Sequence, residues 1–414
     1  MKAMENRERG SARQHQGAAM KKGWQTKQLG ELAELKGRIG WRGLTAKEYT
    51  KEGPLFLSVH SLNYGDYVDF RDAFHISEER YVESPEIMLQ PNDVLICKDG
   101  AGIGKLGILG ELPDRATINS SLLLIRSGKQ ILPKYLYRCL TSPYFQDIVQ
   151  SRLNGATTPH LYQRDITEFP VVLPPLAEQQ RIVGLLDEAF AGLATAKANA
   201  EKNLQNARAL FESHLQSVFT HRGPGWKMEK LDDLTELARG HNPPKSKFSR
   251  EQKPGYVRFY QIRDGGTDDY TVYVPDTPQL HKMKKDDIMM VAYRHVGRAF
   301  RGVEGAFNVA LCKISNARRD LLDDDYLFHM IPSPFVKGEL LKRSERSLIP
   351  SMSIEHLREL RIPLPPLPEQ QKIVKLINSL SKETQRLARL YERKLAALEA
   401  LKKSLLHQAF TGAL

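Results

Sequence analysis

The chain has 414 residues, 41% of them hydrophobic, and carries a formal net charge of +12. No stretch approaches the roughly 18 apolar residues of a membrane-spanning helix, so we expect a globular protein of about two to four domains without membrane association. The excess of Lys and Arg indicates an anionic partner. Nucleic acid is the leading candidate, and solubility alone is the alternative. Three widely spaced cysteines without a pairing pattern predict a reduced, cytoplasmic location.

Residues 1–22 differ from the rest of the chain, because they are rich in Lys and Arg and poor in apolar side chains. This composition predicts a disordered basic lead-in. Met20 is an alternative start, so the segment is either a functional arm or an artefact of the assigned start site.

The first front segment, residues 23–173, contains short apolar runs separated by turn residues. Runs such as residues 93–97 predict strands, and residues 133–151 predict a helical stretch broken by a Ser-Pro pair. Residues 102–107 match the pattern GxGxxG, but a dinucleotide site needs a helix directly after the glycines, and here strand and turn residues follow. We therefore favour a tight hairpin-like loop over a cofactor site.

Residues 174–222 predict a long helix. Two prolines precede it, and Glu178 falls in its first turn, where a carboxylate complements the helix dipole. Beyond Val183, side chains recur at alternating spacings of three and four, which predicts a coiled-coil seam with two polar intrusions. The predicted seam comprises Leu186, Phe190, Leu193, Lys197, Ala200, Leu204, Ala207, Phe211, His214 and Val218.

The second front segment, residues 223–364, repeats the order of apolar runs seen in the first. Its residues 242–245 resemble the Asn-Pro-Pro-aromatic motif of amino-group DNA methyltransferases. In those enzymes the aromatic side chain stacks on a flipped base, but Lys245 stands in its place here. The segment is therefore predicted to be a basic loop near DNA rather than a catalytic motif.

A second long helix is predicted at residues 365–414. The sequence Leu-Pro-Pro-Leu-x-Glu-Gln-Gln-x-Ile-Val, here named the exit motif, opens both helices at residues 173–183 and 364–374, an offset of 191. The chain is therefore one unit written twice, with divergent fronts and length-constrained backs. The looser second stripe comprises Leu376, Leu380, Leu387, Tyr391, Leu395, Leu398, Leu401 and Leu405. We expect the two helices to cover each other, antiparallel within one chain; pairing with other chains is the alternative.

Residues 23–414 resemble the DNA-specificity subunits of type I restriction–modification systems. The resemblance rests on Leu-Gly-Glu-Leu at Leu29–Leu32, echoed at Leu231–Leu234, and on the strand and glycine loop of residues 93–107. It rests also on the duplicated exit motif and on the closing Ala-Phe-Thr-Gly at residues 409–412. The family commonly has Gly-[Ser/Thr]-x-Gly-[Lys/Arg] in the glycine loop, and both copies here depart from that pattern. What they keep is a glycine followed by a cation: Gly104 with Lys105, and Gly297 with Arg298.

The resemblance implies an α+β fold with an internal pseudo-two-fold repeat: two similar mixed α/β target recognition domains, separated by two long antiparallel coiled-coil helices. It implies a non-catalytic subunit that reads a bipartite, asymmetric site on double-stranded DNA, with half-sites about one helical turn (~34 Å) apart. It also implies that two methylation subunits dock on the helices and that two restriction subunits join through them. We expect no cofactor or metal in this chain, because S-adenosylmethionine, ATP and Mg²⁺ belong to the partner subunits.

Candidate DNA contacts are polar and basic residues of the glycine loops and variable loops, which suit phosphate neutralisation and the reading of base edges. In the first front segment they are Arg38, Arg42, His60, Asn63, Lys98, Lys105, Thr157, Thr158, His160 and Tyr162. In the second they are Lys245, Lys247, Gln261, Arg263, Tyr293, Arg294, Arg298, Arg301, Arg346 and Ser351. For any one of them the alternative is a solvated surface group.

Two other classes of protein stay open at this point. A self-contained methyltransferase or nuclease would need a cofactor loop, a metal-ligand cluster or paired carboxylates, and the sequence shows no such motif. A coiled-coil scaffold that binds only protein is the second alternative. Binding to a random-site DNA library, with and without methylation subunits, separates these two classes from a DNA-specificity subunit.

Overall fold

The structure, a computed structural model, describes residue 21 and residues 23–38, 44–153, 160–221, 223–264, 269–293, 296–344 and 352–414. It divides into two compact units. Unit 1 extends to Asn199 and includes Lys394–Leu414, and unit 2 is Ala200–Arg393. The predicted basic lead-in lies almost entirely outside the described residues. Among the described helices, none combines the length and apolar character that crossing a membrane requires.

The described residues of unit 1 form three small sheets and five short helices before the first long helix. Its strands are β1 (Gln25–Gln28), β2 (Ala33–Gly37), β3 (Thr50–Leu57), β4 (Phe74–His75), β5 (Val94–Cys97), β6 (Leu106–Ile108), β7 (Ala116–Ile118), β8 (Leu122–Ser127) and β9 (Pro170–Leu173). Its helices are α1 (Leu29–Leu32), α2 (Glu78–Val82), α3 (Pro133–Leu140), α4 (Pro143–Leu153) and α5 (Gln163–Thr167), followed by the long α6 (Leu176–Thr220). The sheet orders are β1-β9, β2-β8-β5-β6 and β4-β3-β7.

Unit 2 repeats this plan with one more strand in its second sheet. Its strands are β10 (Lys227–Lys230), β11 (Thr235–Arg239), β12 (Tyr256–Tyr260), β13 (Val272–Pro275), β14 (Lys282–Met283), β15 (Ile288–Val291), β16 (Ala299–Phe300), β17 (Gly305–Phe307), β18 (Leu311–Asn316) and β19 (Arg361–Leu364). Its helices are α7 (Leu231–Leu234), α8 (Asp324–Met330), α9 (Pro334–Ser344), α10 (Ile354–Arg358) and the long α11 (Leu367–Thr411). The sheet orders are β10-β19, β11-β18-β15-β16 and β13-β12-β17-β14.

The central four-stranded sheet of each unit is buried on both faces, which explains the continuous apolar runs in the sequence. In β5, Val94 and Ile96 face the core that contains α3 and α4, whereas Leu95 and Cys97 face the core beneath β3 and β7. Strand β15 alternates between two cores in the same way. Each unit is therefore layered, with helices on one face of the central sheet and the second sheet on the other.

The first glutamine of each exit motif is a fully buried hydrogen-bond hub. The Gln179 side chain accepts from the Leu132 amide at 2.8 Å and donates to the carbonyls of Gln130 and Pro174 at 2.9 Å. The Gln370 side chain accepts from the Asp323 amide and donates to the carbonyls of Leu321 and Pro365, all at 2.8 Å. Because buried backbone groups are costly without partners, this glutamine fixes the start of each long helix against its own unit.

The two long helices run antiparallel where they meet inside each unit. In unit 1, Arg181 of α6 donates to the Leu414 carbonyl at 3.2 Å, and Lys197 pairs with Glu399 of α11 at 3.0 Å. In unit 2, Arg208 of α6 pairs with Glu392 of α11 at 3.2 Å. The predicted antiparallel pairing within one chain is therefore confirmed.

The end of each long helix completes the core of the unit that it enters. Phe410 packs edge-on to the buried Tyr135 with ring centroids 5.2 Å apart, and Phe219 packs in the same way on Tyr326 at 5.6 Å. Phe410 belongs to the second sequence copy but to unit 1, and Phe219 belongs to the first copy but to unit 2. The repeat of the sequence is therefore not the unit of packing, because each copy lends the end of its helix to the other copy's domain.

The predicted helix stripes need two corrections. Leu376 and Leu401 are 46% and 48% exposed, so they do not belong to the buried stripe of α11, and Ile377 and Leu406 are buried in its place. The second stripe was looser in sequence, and an α-helix advances 3.6 residues per turn, so a regular count drifts off the contacting face over 45 residues.

The joint between domain and helix is charged in unit 1 and neutral in unit 2. The buried guanidinium of Arg138 bridges Asp66 of the domain at 2.6 Å and Asp187 of α6 at 2.8 Å. The equivalent positions in unit 2 hold His329 and Asn378, which share one hydrogen bond of 2.9 Å. Burial lowers the pKa of His329 from its ordinary value of 6.5, so the fold favours the neutral imidazole.

This difference predicts that mild acid destabilises unit 2 but not unit 1. A histidine with a lowered pKa in the folded state loses stability as pH falls below about 6.5, by at most about 1.4 kcal/mol per pH unit. Burial opposes ionisation of Asp187, but hydrogen bonds from Arg138 and Lys134 lower its pKa below the ordinary 3.8, so its contribution is lost only in stronger acid.

Amide hydrogen exchange between pH 5.5 and 7.5, corrected for intrinsic rates, measures the two units separately. We expect protection to fall with pH in α8 and the start of α11, and the fall to disappear in His329→Gln. His221→Gln, which alters an exposed histidine after α6, is the matched control. An identical pH response in wild type and His329→Gln contradicts the prediction.

Candidate nucleic-acid interface

Loops from six strands of two sheets meet at one end of these sheets in unit 1. The register places Gly37 opposite Leu123 and Cys97 opposite Leu122, so β2 and β5 end where β8 begins. Strand β6 starts at the same end, and the parallel strands β3 and β7 also end there. We name this end of the sheets rim 1. It comprises residue 38 and residues 58–63, 98–105, 119–121 and 160–162.

The glycine loop between β5 and β6 is a hairpin. The Gly104 amide donates to the Cys97 carbonyl, and the Cys97 amide to the Lys105 carbonyl, both at 2.9 Å. Gly104 has φ +84°, a conformation that favours glycine, and a Cβ on Gly102 would lie 2.4 Å from a Val59 methyl. Because a strand rather than a helix follows these glycines, the predicted hairpin is confirmed and the dinucleotide-site alternative is wrong.

The hairpin presents Lys105 beside the loop that follows β3. The Lys105 ammonium donates to the Asn63 side-chain oxygen at 2.7 Å, on the protein surface. His60 lies in the same short turn, Val59–Leu62, and is exposed. Three of the predicted site residues therefore come together at rim 1.

A second group forms where residues 160–162 dock on the hairpin. The Leu161 amide donates to the Lys98 carbonyl at 2.9 Å, and His160 and Asp99 form an antiparallel β-bridge. The Asp99 carboxylate accepts from the Lys98 ammonium at 2.7 Å and from Nδ1 of His160. The exposed Tyr162 packs edge-on to the His160 ring, with centroids 4.5 Å apart. Lys98, His160 and Tyr162 are thus adjacent, as candidate contacts at one interface should be.

Arg38 follows β2 at the same end but is half-buried. Its guanidinium lies 5.7 Å from the Phe56 ring centroid, and burial lowers its pKa from the ordinary 12.5. Two of its nitrogens are buried without a hydrogen-bond partner among the groups that the structure describes. Arg38 therefore supplies positive charge close to rim 1 with little freedom to move.

Unit 2 has an equivalent surface at one end of its sheets, here named rim 2. It comprises residues 240–242, 261–263, 292–293, 297–298 and 308–310. The Gly297 amide donates to the Val291 carbonyl at 3.1 Å, and the Val291 amide to the Arg298 carbonyl at 2.8 Å. Gly297 has φ +89°. The hairpin at Gly104 and Lys105 in unit 1 has the same pair of hydrogen bonds and the same glycine conformation. Lys105 and Arg298 therefore occupy equivalent positions. Contact of either residue with DNA stays a prediction.

Five further candidates lie on or next to rim 2. Gln261 and Arg263 follow β12, and the Arg263 guanidinium lies 5.2 Å from the Tyr270 ring centroid. Tyr293 lies two residues after the end of β15, at the position that Asp99 takes in unit 1. The segment 240–242 is fixed because the Asn242 side chain accepts from the Val309 amide at 3.2 Å. The exposed Lys245 comes shortly after it, in the basic turn Lys245–Lys247.

Arg301 lies apart from the other candidates of unit 2. Strand β16 pairs with β15 and separates Arg301 from Arg298, so the two residues lie at opposite ends of that strand. The Arg301 guanidinium pairs with Asp325 at 2.5 Å and lies 4.4 Å from the Phe328 ring centroid. Its charge and its flat face are both engaged within the protein, so we expect no contact with DNA. Six other candidates lie outside the described residues: Arg42, Thr157, Thr158, Arg294, Arg346 and Ser351.

Sequence reasoning missed three rim residues. Asp99 fixes two candidates but is acidic, so a search for basic side chains passes over it. Asn119 and Asn308 occupy equivalent turns at the two rims, and each side chain accepts from a backbone amide two residues on, at 3.1 and 3.2 Å. Their match within the repeat was the signal that could have found them.

The described part of the chain contains no group of three or more His, Cys, Asp or Glu residues placed to hold a metal ion. Its three cysteines are free and buried, and burial raises the pKa of each thiol, which disfavours a reactive thiolate. What the two rims offer is hydrogen-bond donors, acceptors and positive charge, which suits binding rather than bond cleavage.

The family model of the type I restriction modification DNA specificity domain matches the chain twice, at residues 21–204 and 224–393. The type I restriction enzyme MjaVIII specificity subunit of Methanocaldococcus jannaschii is 21% identical over 355 residues, covering 80% of this chain and 81% of that protein. The EcoKI specificity subunit of Escherichia coli (strain K12) is 22% identical over 426 residues, covering 95% and 89%.

Two solved structures share the fold. One, described as the structural basis underlying complex assembly and conformational transition of the type I R-M system, has TM-score 0.80 and 19% identity, covering 96% of this chain and all of that chain. The HsdS subunit from Thermoanaerobacter tengcongensis has TM-score 0.58 and 19% identity, covering 96% and 99%. The predicted α+β fold with two repeated domains is confirmed.

The equivalence of Lys105 and Arg298 predicts two separate binding defects. Lys105→Ala should weaken DNA binding at one half-site, and Arg298→Ala should weaken it at the other. Arg301→Ala should change binding at neither half-site, because the Arg301 side chain is paired with Asp325 at the other end of β16. If the lost contact is to a phosphate, the slope of log affinity against log salt concentration should fall by about one unit, and the sequence preference should stay unchanged. If the lost contact is to a base, the substitution should cost about 1–3 kcal/mol of binding free energy and relax the base preference at one position. Footprinting and salt titration measure both, and unaltered footprints with unaltered affinity count against the assignment.

Proposed function

Because the chain belongs to the type I restriction–modification DNA specificity family, we propose that it is the DNA-specificity subunit of such a complex. Each rim reads one half of a bipartite, asymmetric site on double-stranded DNA. The observation that carries this proposal is the pair of equivalent rims, which keep one backbone frame and differ in the side chains on it. Arg and Lys are suited to the O6 and N7 atoms of guanine in the major groove, where all four base pairs can be distinguished.

The proposed site is asymmetric because the two rims carry different chemistry. Rim 1 has Lys105 paired with Asn63 and the group formed by Lys98, Asp99 and His160. Rim 2 has Arg298 at the equivalent of Lys105, but Tyr293 at the equivalent of Asp99. Two surfaces that place different donors and acceptors against DNA select different base sequences.

The partners that we propose are two methylation subunits on the long helices and two restriction subunits joined through them. The support is apolar side chains left in solvent on α6: Leu185 of unit 1 is 42% exposed and Leu210 of unit 2 is 72% exposed. We propose that this chain has no active site of its own and acts in the cytoplasm. S-adenosylmethionine, ATP and Mg²⁺ would be held by the partner subunits, where the target base is flipped and methylated.

Selection from a random-site DNA library, with the full chain and its methylation subunits, tests the proposal. We expect one sequence made of two specified segments with an unspecified spacer, and no selection by methylation subunits alone. Selection of no sequence under either condition would favour the protein-binding scaffold. Methyl transfer by this chain alone would favour a self-contained methyltransferase.

A fragment of residues 23–220 should form a homodimer that reads a palindrome. It contains one front domain and one long helix, and Phe219 of each copy can pack on Tyr135 of the other as Phe410 does in the full chain. An isolated apolar stripe of this length must be covered, and identical domains related by a two-fold axis present identical rims.

The measurements are mass in solution and DNA selection in the presence of methylation subunits. Phe219→Asp should shift the fragment towards monomer, because a charge cannot be buried against Tyr135. The exposed Thr220→Asp is the matched control. A folded wild-type monomer, or a dimer that selects a non-palindromic site, contradicts the prediction.

A further inference from the structure

The His160 side chain is held more firmly than other candidate contacts at rim 1. A backbone bridge docks its segment on the hairpin: Asp99 and His160 pair antiparallel, and the Leu161 amide donates to the Lys98 carbonyl at 2.9 Å as part of that bridge. The ring is then fixed on one side by the Asp99 carboxylate and on its edge by Tyr162, at 4.5 Å between centroids and 70° between planes. Such a ring offers hydrogen bonds in one defined direction.

The Asp99 carboxylate is fully used by its neighbours. One oxygen accepts from the Lys98 ammonium at 2.7 Å and the other from Nδ1 of His160. Burial opposes its ionisation, but these two hydrogen bonds lower the pKa of Asp99 below the ordinary 3.8. An ionised carboxylate that binds Nδ1–H leaves Nε2 as the nitrogen through which the imidazole can contact a ligand.

The outer nitrogen of His160 is available for that contact. The side chain is 32% exposed, and Nε2 has no hydrogen bond to any group in the described part of the chain. The titratable groups around the ring are Lys98 and Asp99 from the hairpin and Tyr162 from the segment before α5; Asp165 accepts from the Tyr162 amide. With a proton on each ring nitrogen, the imidazolium pairs with the Asp99 carboxylate through Nδ1 and offers Nε2 as a donor.

Unit 2 provides an internal comparison. Its Met352 amide donates to the Ala292 carbonyl at 2.9 Å, so the segment docks as residues 160–162 dock in unit 1. The residue after Ala292, however, is Tyr293, where unit 1 has Asp99. Among the described residues of unit 2, the position equivalent to Asp99 therefore carries no carboxylate.

We infer that His160 is a specificity-determining residue of rim 1, whose Nε2–H donates to the acceptor atoms of a guanine edge in the major groove. Asp99 is its positioning residue. The inference rests on the proposed function, since it assigns one base within the half-site read by rim 1. A guanine edge suits the fixed ring, because guanine O6 and N7 lie in defined directions, whereas a flexible Lys105 side chain suits a phosphate.

The experiment uses the full chain with its methylation subunits and DNA in which one half-site is randomised while the other keeps the wild-type sequence. Wild type is expected to require guanine at one position of the half-site read by rim 1. His160→Ala and His160→Gln should lose that preference by on the order of tenfold, the worth of one hydrogen bond to a charged donor. Asp99→Asn, which is nearly isosteric, should reduce the same preference while leaving the other half-site unchanged. His221→Gln is the control for loss of a histidine elsewhere.

The base preference separates base reading from a structural role. A purely structural role for His160 would lower affinity without changing which base is preferred at one position. Retention of methylation at the unaltered half-site shows that each variant is folded and assembled.

Several results would overturn the inference. A uniform loss of affinity in His160→Ala, with a lower salt slope and unchanged base preference, would assign a phosphate contact. A preference for adenine or cytosine at that position would assign an acceptor rather than a donor. An unchanged selected sequence in His160→Ala would remove the histidine from base reading. If wild type selects no sequence at all, the proposed function itself fails, and that outcome is distinct from the other three.

Discussion

The arrangement of the chain depends on how the long helices end. Phe219 and Phe410 each fill a core beside a buried tyrosine, and each comes from the sequence copy that does not build the rest of that core. One residue inserted into the last turns of a helix, within the unit whose core that helix completes, would rotate the phenylalanine by about 100° and turn it away from its tyrosine. The same number of residues separates the hub glutamine from the terminal phenylalanine in both copies, in agreement with the constant offset of 191 through the backs. The fronts carry no such requirement between their loops.

The hub glutamines set the other end of the same constraint. Gln179 and Gln370 each form hydrogen bonds with three backbone groups from two segments of their unit. A shift of the first turn of either long helix would therefore leave buried polar groups without a hydrogen-bond partner. Between hub and phenylalanine, the joints are free to differ in chemistry, and they do. Arg138 bridges two carboxylates where unit 2 has a His329–Asn378 pair, so two copies of similar shape differ in the charge of this joint.

Features set by local sequence were predictable, and features set by tertiary neighbours were not. The repeat, the two long helices and the hairpin at Gly104 follow from spacing, helix-start signals and turn residues. The exposure of Leu376 and Leu401 depends on which face of α11 meets a partner, and periodicity leaves that undecided over so many turns. Arg301 was grouped with Arg298 as a basic residue of the same region. Strand β16 lies between them, however, and places them at its opposite ends. The role of Asp99 follows from a bridge to a residue 61 positions away, which no local pattern reveals.

The two rims also show how a binding surface can change while its fold stays constant. The hairpin at each rim is closed by backbone hydrogen bonds and by one glycine with positive φ, and the side chains that face outward take no part in either. Replacement of Asp99 by a tyrosine, or of Lys105 by an arginine, alters donors, acceptors and charge without removing a bond on which the sheet depends. Because each rim lies wholly within its own unit, such a change in one copy leaves the other copy's contacts intact, and distant sites of this kind contribute additively. A duplicated single chain can thus carry two independent surfaces, each of which reads one half-site. The side chains of each surface can diverge while the backbone that holds them stays the same.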